Sequence, residues 1–283
     1  MNIRVRKNLL QYFKTKASAQ TYNILKSFFS FIGPDPAPLE VSSEYGQDGQ
    51  GDYVRVALSC LTRDQALKLF ALTKHPRQVV ESFMFDDHQD ACFGMGIADY
   101  GTESAQQRIK LYNYYDLSRK RALWKEHLLE LGEKAGVSRL ELKRDIGQFK
   151  KVRMSSVDIY DNGKIDLKVY YGPFFSKDFP SKFQSLFDTR TIRKYKDLLG
   201  PGLLSRLVLF CVRYNSDGKS IRTDFWCSAR RIVPLLKRLD AHGDATRLYK
   251  DISALTTSRN LSFICIDMDK RPRTQFYFFL EKV

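Results

Sequence analysis

No stretch of this sequence approaches the roughly 18 consecutive apolar residues of a membrane-crossing helix, so no span is expected. The basic opening MNIRVRKNLLQYFKTK is not followed by the apolar core and cleavage site of a secretory signal. Cysteine is sparse. Cys60, Cys92, Cys211, Cys227 and Cys265 are scattered, with no CxxC pair, each in or beside an apolar run. This pattern argues against a disulfide framework and reads as core thiols in a reducing cytoplasm. Asp86, Asp87, His88 and Asp90 gather acid around one histidine. No second spaced His or Cys joins them, so they read as a polar turn rather than a metal site. RNP-like, KH and zinc motifs are also absent.

What the sequence does have is charge of one sign. Its formal net charge is +15 over 283 residues, while 43% apolar content allows a sizeable core. Such a balance attracts anions: nucleic acid, an acidic membrane or a phosphorylated small molecule. Where the cations sit helps to choose among these.

The segment KIDLKVYYGPF, Lys164 to Phe174, alternates strictly. Ile165, Leu167, Val169 and Tyr171 make one face of a strand; Asp166, Lys168 and Tyr170 make the other. The same kind of face returns along the chain. RIKLYNYY groups Arg108, Lys110, Tyr112 and Tyr114; SIRTDFWC groups Arg222, Asp224 and Trp226; RPRTQFYFF groups Arg273, Gln275, Tyr277 and Phe279; YVRVAL groups Tyr53, Arg55 and Ala57. Each is the second strand of a predicted hairpin, two of them turning on Asp161-Asn162-Gly163 and Ser216-Asp217-Gly218. Anchored on Arg55, Lys110, Lys168, Arg222 and Gln275, the hairpins recur at steps of 55, 58, 54 and 53 residues. A near-constant step marks a repeated supersecondary unit.

Helical patterns fill the gaps. TRDQALKLFALTKHP opens on Thr62 as a cap, DLSRKRALWKEHLLELGEKAG stops on glycine, and FPSKFQSLF, TIRKYKDLL and SARRIVPLLKRLDAHGDATRLYKDISAL follow. The expected architecture is α+β: a ten-stranded antiparallel β-barrel surrounded by α-helices. It forms one domain over 1–283, with a helical segment at 1–37 and five strand–strand–helix repeats over 38–283. Closure removes sheet edges. Amphipathic helices must cover the Ile/Leu/Val face, which turns the Lys/Tyr face into a lumen wide enough for a ligand. Arg55, Lys110, Lys168, Arg222 and Arg273 then converge there with tyrosines, which suits an anion carrying an apolar tail.

This arrangement resembles the soluble aromatic prenyltransferases of the ABBA type. The resemblance runs from about Leu39 to Leu280 and rests on the repeats and the phased basic-x-Tyr strands. VDIYDNGKIDLKVYYGPFFSKDF is similar to the cyanobactin-type branch, with the small-molecule branch nearly as close. It implies a soluble cytoplasmic PT barrel, an (αββα)-repeat fold, that transfers a prenyl group from an allylic diphosphate, dimethylallyl or geranyl. The acceptor would be an electron-rich aromatic: an indole, a phenol, a small molecule or a peptide.

The resemblance also assigns roles. Arg55, Lys110, Lys168, Arg222 and Arg273 would hold the diphosphate. Tyr112, Tyr170 and Tyr277 would shield the carbocation. Glu44 would act on the acceptor, with Glu40 as second choice. Some relatives carry Asp at the first rung and hold Mg²⁺ there; Arg55 in its place implies that no metal is obligatory. Asp224 and Phe210 depart from the family, in which many relatives have Tyr at the first position and some have a phosphate-contacting Tyr at the second. No nucleic acid, no membrane and a monomer are expected.

Blander readings stand beside these. A single basic-x-Tyr strand is ordinarily a solvated sheet face, and only the phasing of several argues otherwise. Glu44 reads equally as a surface acid near a turn. His127 sits among Leu and Trp124 as a structural residue, SRKRALWK is a solvated helix face, and the phenylalanines of KSFFSFIG are helix core. Two other functions fit the composition: single-stranded nucleic-acid binding and a non-catalytic barrel for an anionic lipid. The first predicts steep loss of affinity with salt.

Overall fold

Strand alternation divides the apolar residues of this chain between two interiors. The structure is a computed structural model and describes residues 3–32, 39–46, 53–73, 75, 77–85, 92–98, 108–115, 123–160, 162, 164–172, 187–199, 207–215, 218–226, 246, 250, 251, 253, 254, 263–267 and 273–280. Ten strands come in five sequential pairs: β1 (Leu39–Gly46) and β2 (Tyr53–Leu61), β3 (Cys92–Ala98) and β4 (Arg108–Tyr114), β5 (Val152–Tyr160) and β6 (Ile165–Tyr171), β7 (Leu207–Asn215) and β8 (Gly218–Trp226), β9 (Phe263–Asp267) and β10 (Arg273–Leu280). All neighbours are antiparallel. β1 pairs with β2 on one side and β10 on the other, so the order β1-β10-β9-β8-β7-β6-β5-β4-β3-β2 closes into a barrel.

Helices precede and separate the pairs: α1 (Ile3–Lys16) and α2 (Ala19–Ile32), α3 (Arg63–Phe70) and α4 (Arg77–Glu81), α5 (Trp124–Lys134) and α6 (Arg139–Phe149), and α7 (Thr189–Leu199). Thr62 starts α3 through a full capping box. Its Oγ1 accepts from the Gln65 backbone N–H at 3.2 Å, and its own N–H donates to Gln65 Oε1 at 2.9 Å. Gly218 opens β8 at φ 117°, a left-handed conformation that favours glycine. The expected helices at FPSKFQSLF and the acidic turn Asp86–Asp90 lie outside the described residues, as does nearly all of the helical segment between β8 and β9.

The larger interior lies between strands and helices. Val56 and Leu58 of β2, Phe93 and Met95 of β3, Ile109 and Leu111 of β4, and Val157 and Ile159 of β5 pack there, as do Leu167 and Val169 of β6 and Phe210 and Val212 of β7. Val5, Leu9 and Phe13 of α1, Phe28 and Phe29 of α2, Leu128 and Leu131 of α5 and Leu142 and Ile146 of α6 meet them. Phe28 and Phe29 of KSFFSFIG are therefore core, as expected. The second cluster is small and separate: Ala57, Tyr112, Tyr170 and Cys211, with Tyr114 and Met154 against it. Its strand residues alternate with those of the first. Both faces of the central strands are buried, and the smaller cluster is inside the barrel.

Polar ties fix the helices to the barrel wall. Asp145 of α6, almost wholly buried, accepts from Tyr214 Oη at 2.6 Å and from Lys219 Nζ at 2.5 Å, which pins that helix to β7 and β8. Gly132 of α5 lets α6 approach: a Cβ there would stand 2.6 Å from Leu142 Cδ2. Next to β4, Tyr115 Oη shares hydrogen bonds with Ser155 Oγ at 2.7 Å and His127 Nδ1 at 3.1 Å, and His127 lies against the Phe85 ring. The structural role expected of His127 agrees with this placement.

Candidate active site

The lumen face can be followed strand by strand through the register. One row holds Glu40, Ala57, Gly96, Lys110, Asp158 and Asp166. The next holds Gly94, Tyr112, Ser156, Lys168 and Arg213. A third holds Tyr114, Met154, Tyr170, Cys211, Arg222, Asp267 and Arg273. Tyr277, Ser42 and Arg55 make a further row. Cross-strand partners share a face, so Lys110, Lys168 and the tyrosines between them belong to one wall of the barrel.

The described side chains are buried. Arg55 is 3% exposed, Lys110 2% and Lys168 6%, whereas most of the other described cations are exposed. Long cationic side chains are rarely buried without partners, and here carboxylates supply them. Lys168 Nζ donates to Asp158 Oδ2 at 2.7 Å, while Lys110 Nζ lies 3.5 Å from Asp158 Oδ1. One row along, Arg213 donates to Asp166 Oδ2 at 2.6 Å, and Tyr160 Oη donates to the same oxygen at 2.7 Å. Burial opposes the Arg213 charge, but the Asp166 carboxylate outweighs it and holds the guanidinium above its ordinary range. Ser156 sits between Tyr112 and Lys168 in register, and its Oγ is buried without a hydrogen-bond partner among the described residues.

Aromatic rings sit beside the charges. Lys110 Nζ is 5.4 Å from the Tyr112 ring centroid, within cation–π range. Tyr112 lies 6.5 Å from Tyr170 and stacks at 6.3 Å on Tyr114. Opposite them the wall is low. Gly96 would place a Cβ at ordinary contact from Lys110, Ala57 and Tyr112, whereas at Gly94 Tyr112 and Tyr114 already crowd to 3.1 Å. The lumen thus combines clustered cations with faces of electron-rich rings.

No family model and no curated protein matches the sequence. Solved structures do. The 5-dimethylallyltryptophan synthase of Streptomyces coelicolor, in complex with DMASPP and Trp, matches 97% of this chain over 93% of its own, at TM-score 0.67 and 14% identity. The prenyltransferase PriB, in a binary complex with product diphosphate, matches 98% over 94% at TM-score 0.63 and 9% identity. AnaPT from Neosartorya fischeri matches 97% over 91% at TM-score 0.64 and 13% identity. This chain has the ABBA-type prenyltransferase fold. At such identities the likeness extends to the fold alone.

Within this prenyltransferase fold, the rungs named from sequence fall as follows. Lys110, Lys168, Tyr112 and Tyr170 come together, and Arg55 is buried on the same face. Of Arg222, Arg273, Tyr277 and Glu44 the structure describes backbone only. Arg222 and Arg273 both take Asp267 as register partner. Glu44 pairs with Tyr53, one row beyond Arg55 and away from Lys110, while Glu40 falls in the Lys110 row itself. Phe210 packs in the outer core against Phe149 and Tyr171, so it is not a lumen residue. Its departure from the family pattern therefore leaves the described wall of the lumen unchanged.

Sequence reading missed Asp158, Ser156 and Arg213; it put Asp166 on the Lys168 face but gave it no partner. A partial signal was present: the second half of VRMSSVDIY alternates and puts Ser156 and Asp158 on the face opposite Val157 and Ile159. The structure adds that buried carboxylates on this face pair with its cations, Asp158 with Lys168 and Asp166 with Arg213. Among the described residues no three of His, Cys, Asp and Glu gather as a metal site. No described helix is long and apolar enough to cross a membrane.

Proposed function

We propose that this chain is an aromatic prenyltransferase, a single barrel domain that transfers a prenyl group from an allylic diphosphate to an electron-rich aromatic acceptor. The observation that carries this is the buried group of Lys110, Lys168 and Arg55 beside the Tyr112–Tyr170 pair inside the barrel. Ionisation of the donor breaks its C–O bond and leaves negative charge on diphosphate and positive charge on the allyl group. Preorganised cations lower the first cost. Ring faces attract the carbocation by roughly 0.5–2 kcal/mol each and keep water away from it. The acceptor ring supplies the electron pair for the new C–C bond, and the proton it then loses passes to a base. We assign Arg222, Arg273 and Tyr277 to the same donor site, a reading their register positions support.

Glu44 is assigned to the acceptor, as a carboxylate that hydrogen-bonds an indole N–H or phenol O–H. Its place one row beyond Arg55, on the side away from Lys110, supports a position at the acceptor's end. Glu44→Gln is expected to leave donor affinity within twofold of wild type. It should slow turnover by about tenfold, the worth of roughly 1.4 kcal/mol, with acceptors that present such a donor. Loss of donor binding in this variant would place the first hairpin the other way round in the lumen.

Arg55 occupies the rung where a metal-binding carboxylate would stand, and the Asp158 and Asp166 carboxylates are engaged by Lys168 and Arg213. Turnover is therefore expected to persist in EDTA. Activity abolished by chelator and restored by Mg²⁺ would overturn that assignment. The function itself is tested by incubating the protein with dimethylallyl and geranyl diphosphate and a panel of indoles, phenols and peptides. The expected result is a mass gain of one prenyl unit. Tight, salt-sensitive binding to single-stranded RNA without any such product would favour the competing nucleic-acid reading.

A further inference from the structure

Asp158 is the least expected residue in the lumen. It is wholly buried, and its two oxygens face two lysines, at 2.7 Å for Lys168 and 3.5 Å for Lys110. A carboxylate in the midst of a site for a polyanion repels that ligand, and in a low-dielectric lumen the repulsion is not screened away. Yet two buried ammonium groups without a counter-charge would cost several kcal/mol each. One acid facing two lysines is a compromise: it supplies counter-charge to both inside the barrel at the cost of some repulsion of an incoming anion.

Resting on the proposed donor site, we propose that Asp158 is an internal counter-ion that stands in for the diphosphate, gives up Lys168 when the anion binds, and takes it back when product diphosphate leaves. The residue does not touch the prenyl group or the acceptor; it acts through the two lysines. By competing for them it weakens the hold on donor and on product diphosphate alike, so it keeps the leaving group from being trapped. A chain that bound diphosphate with both lysines free of Asp158 would bind it more tightly and turn over more slowly.

The probe is inorganic diphosphate, with calorimetry and thermal melting of the full chain. Asp158→Asn is expected to bind it about tenfold more tightly than wild type. With an allylic donor, the variant is expected to lower both KM and kcat. Without anion, Asp158→Asn should melt below wild type, and diphosphate should restore more of its stability than it adds to wild type, which keeps the test readable in a weakened variant. Asp158→Glu retains the charge and should bind within about threefold of wild type. In a crystal structure of the wild type with diphosphate, Lys168 Nζ should have left hydrogen-bond distance of Asp158. Equal or weaker binding by Asp158→Asn, or an intact Asp158–Lys168 pair beside bound diphosphate, overturns the inference and leaves the donor site standing. A wild type that does not bind diphosphate at all overturns the donor site and this inference together.

Discussion

Lys168→Ala is expected to weaken binding of the allylic diphosphate by about ten- to a hundredfold, whichever acceptor is supplied. A charge-assisted bond to a phosphate oxygen is worth roughly 1.5–3 kcal/mol, and the donor is common to all acceptors. The same substitution should lower folding stability. Breaking one half of a buried ion pair costs about 3–5 kcal/mol when the partner is stranded. Lys110 lies 3.5 Å from the Asp158 carboxylate and retains part of the pairing, so the lower end is expected. Calorimetric titration with dimethylallyl diphosphate measures the first effect and urea denaturation the second. Unchanged donor affinity in a folded variant would remove the lysine–tyrosine face from the donor site.

Acid should loosen the wall behind β4 through His127. Burial is the main cause that pushes this imidazole from its ordinary 6.5 down to about 4; the Lys134 charge acts in the same direction, and hydrogen bonding with the Phe83 and Met84 backbone opposes both. The unfolded chain therefore binds the proton first. Stability is full above about pH 6.5, falls as pH drops towards 4, and changes no further from this group below that. At about 1.4 kcal/mol per pH unit, the loss reaches about 2–3 kcal/mol near pH 4.5. Urea denaturation at pH 7 and pH 4.5 reads it. His127→Gln cannot take up the proton, so it should lose about 2 kcal/mol less than wild type between the two. Equal losses in both proteins would mean that His127 is not held neutral by its surroundings.

Much of the fold was legible because the second strand of every hairpin shows both faces at once. In Ile165–Tyr171 the aliphatic set and the Lys168/Tyr170 set are each a clean period of two, and a helix cannot produce that. Thr62 announced α3 because a capping box is a local signal. Helix α6 (Arg139–Phe149) was not anticipated. Its buried residues Leu142, Asp145, Ile146 and Phe149 include an acid, and Ser138 makes no side-chain cap. Of the site, the basic-x-Tyr pairs were legible and the partners of the carboxylates were not. That Asp158 lies between Lys110 and Lys168 depends on how β5 registers with both β4 and β6. Charges on one strand can be read from sequence; their neutralisation across strands needs the pairing.

The seam between the first and last strands has a consequence for synthesis. Leu39 pairs with Leu280 and Glu40 with Phe279, so β1 can complete its pairing only once β10, about 240 residues later, has left the ribosome. At about 5–20 residues per second, that wait is on the order of 10–50 seconds. Throughout it, the outer edge of β1 offers unpaired amide and carbonyl groups to any other nascent strand nearby. Slowed elongation ahead of β10 is therefore expected to raise the aggregated fraction of newly made chains, while the same delay placed before β1 should leave it unchanged.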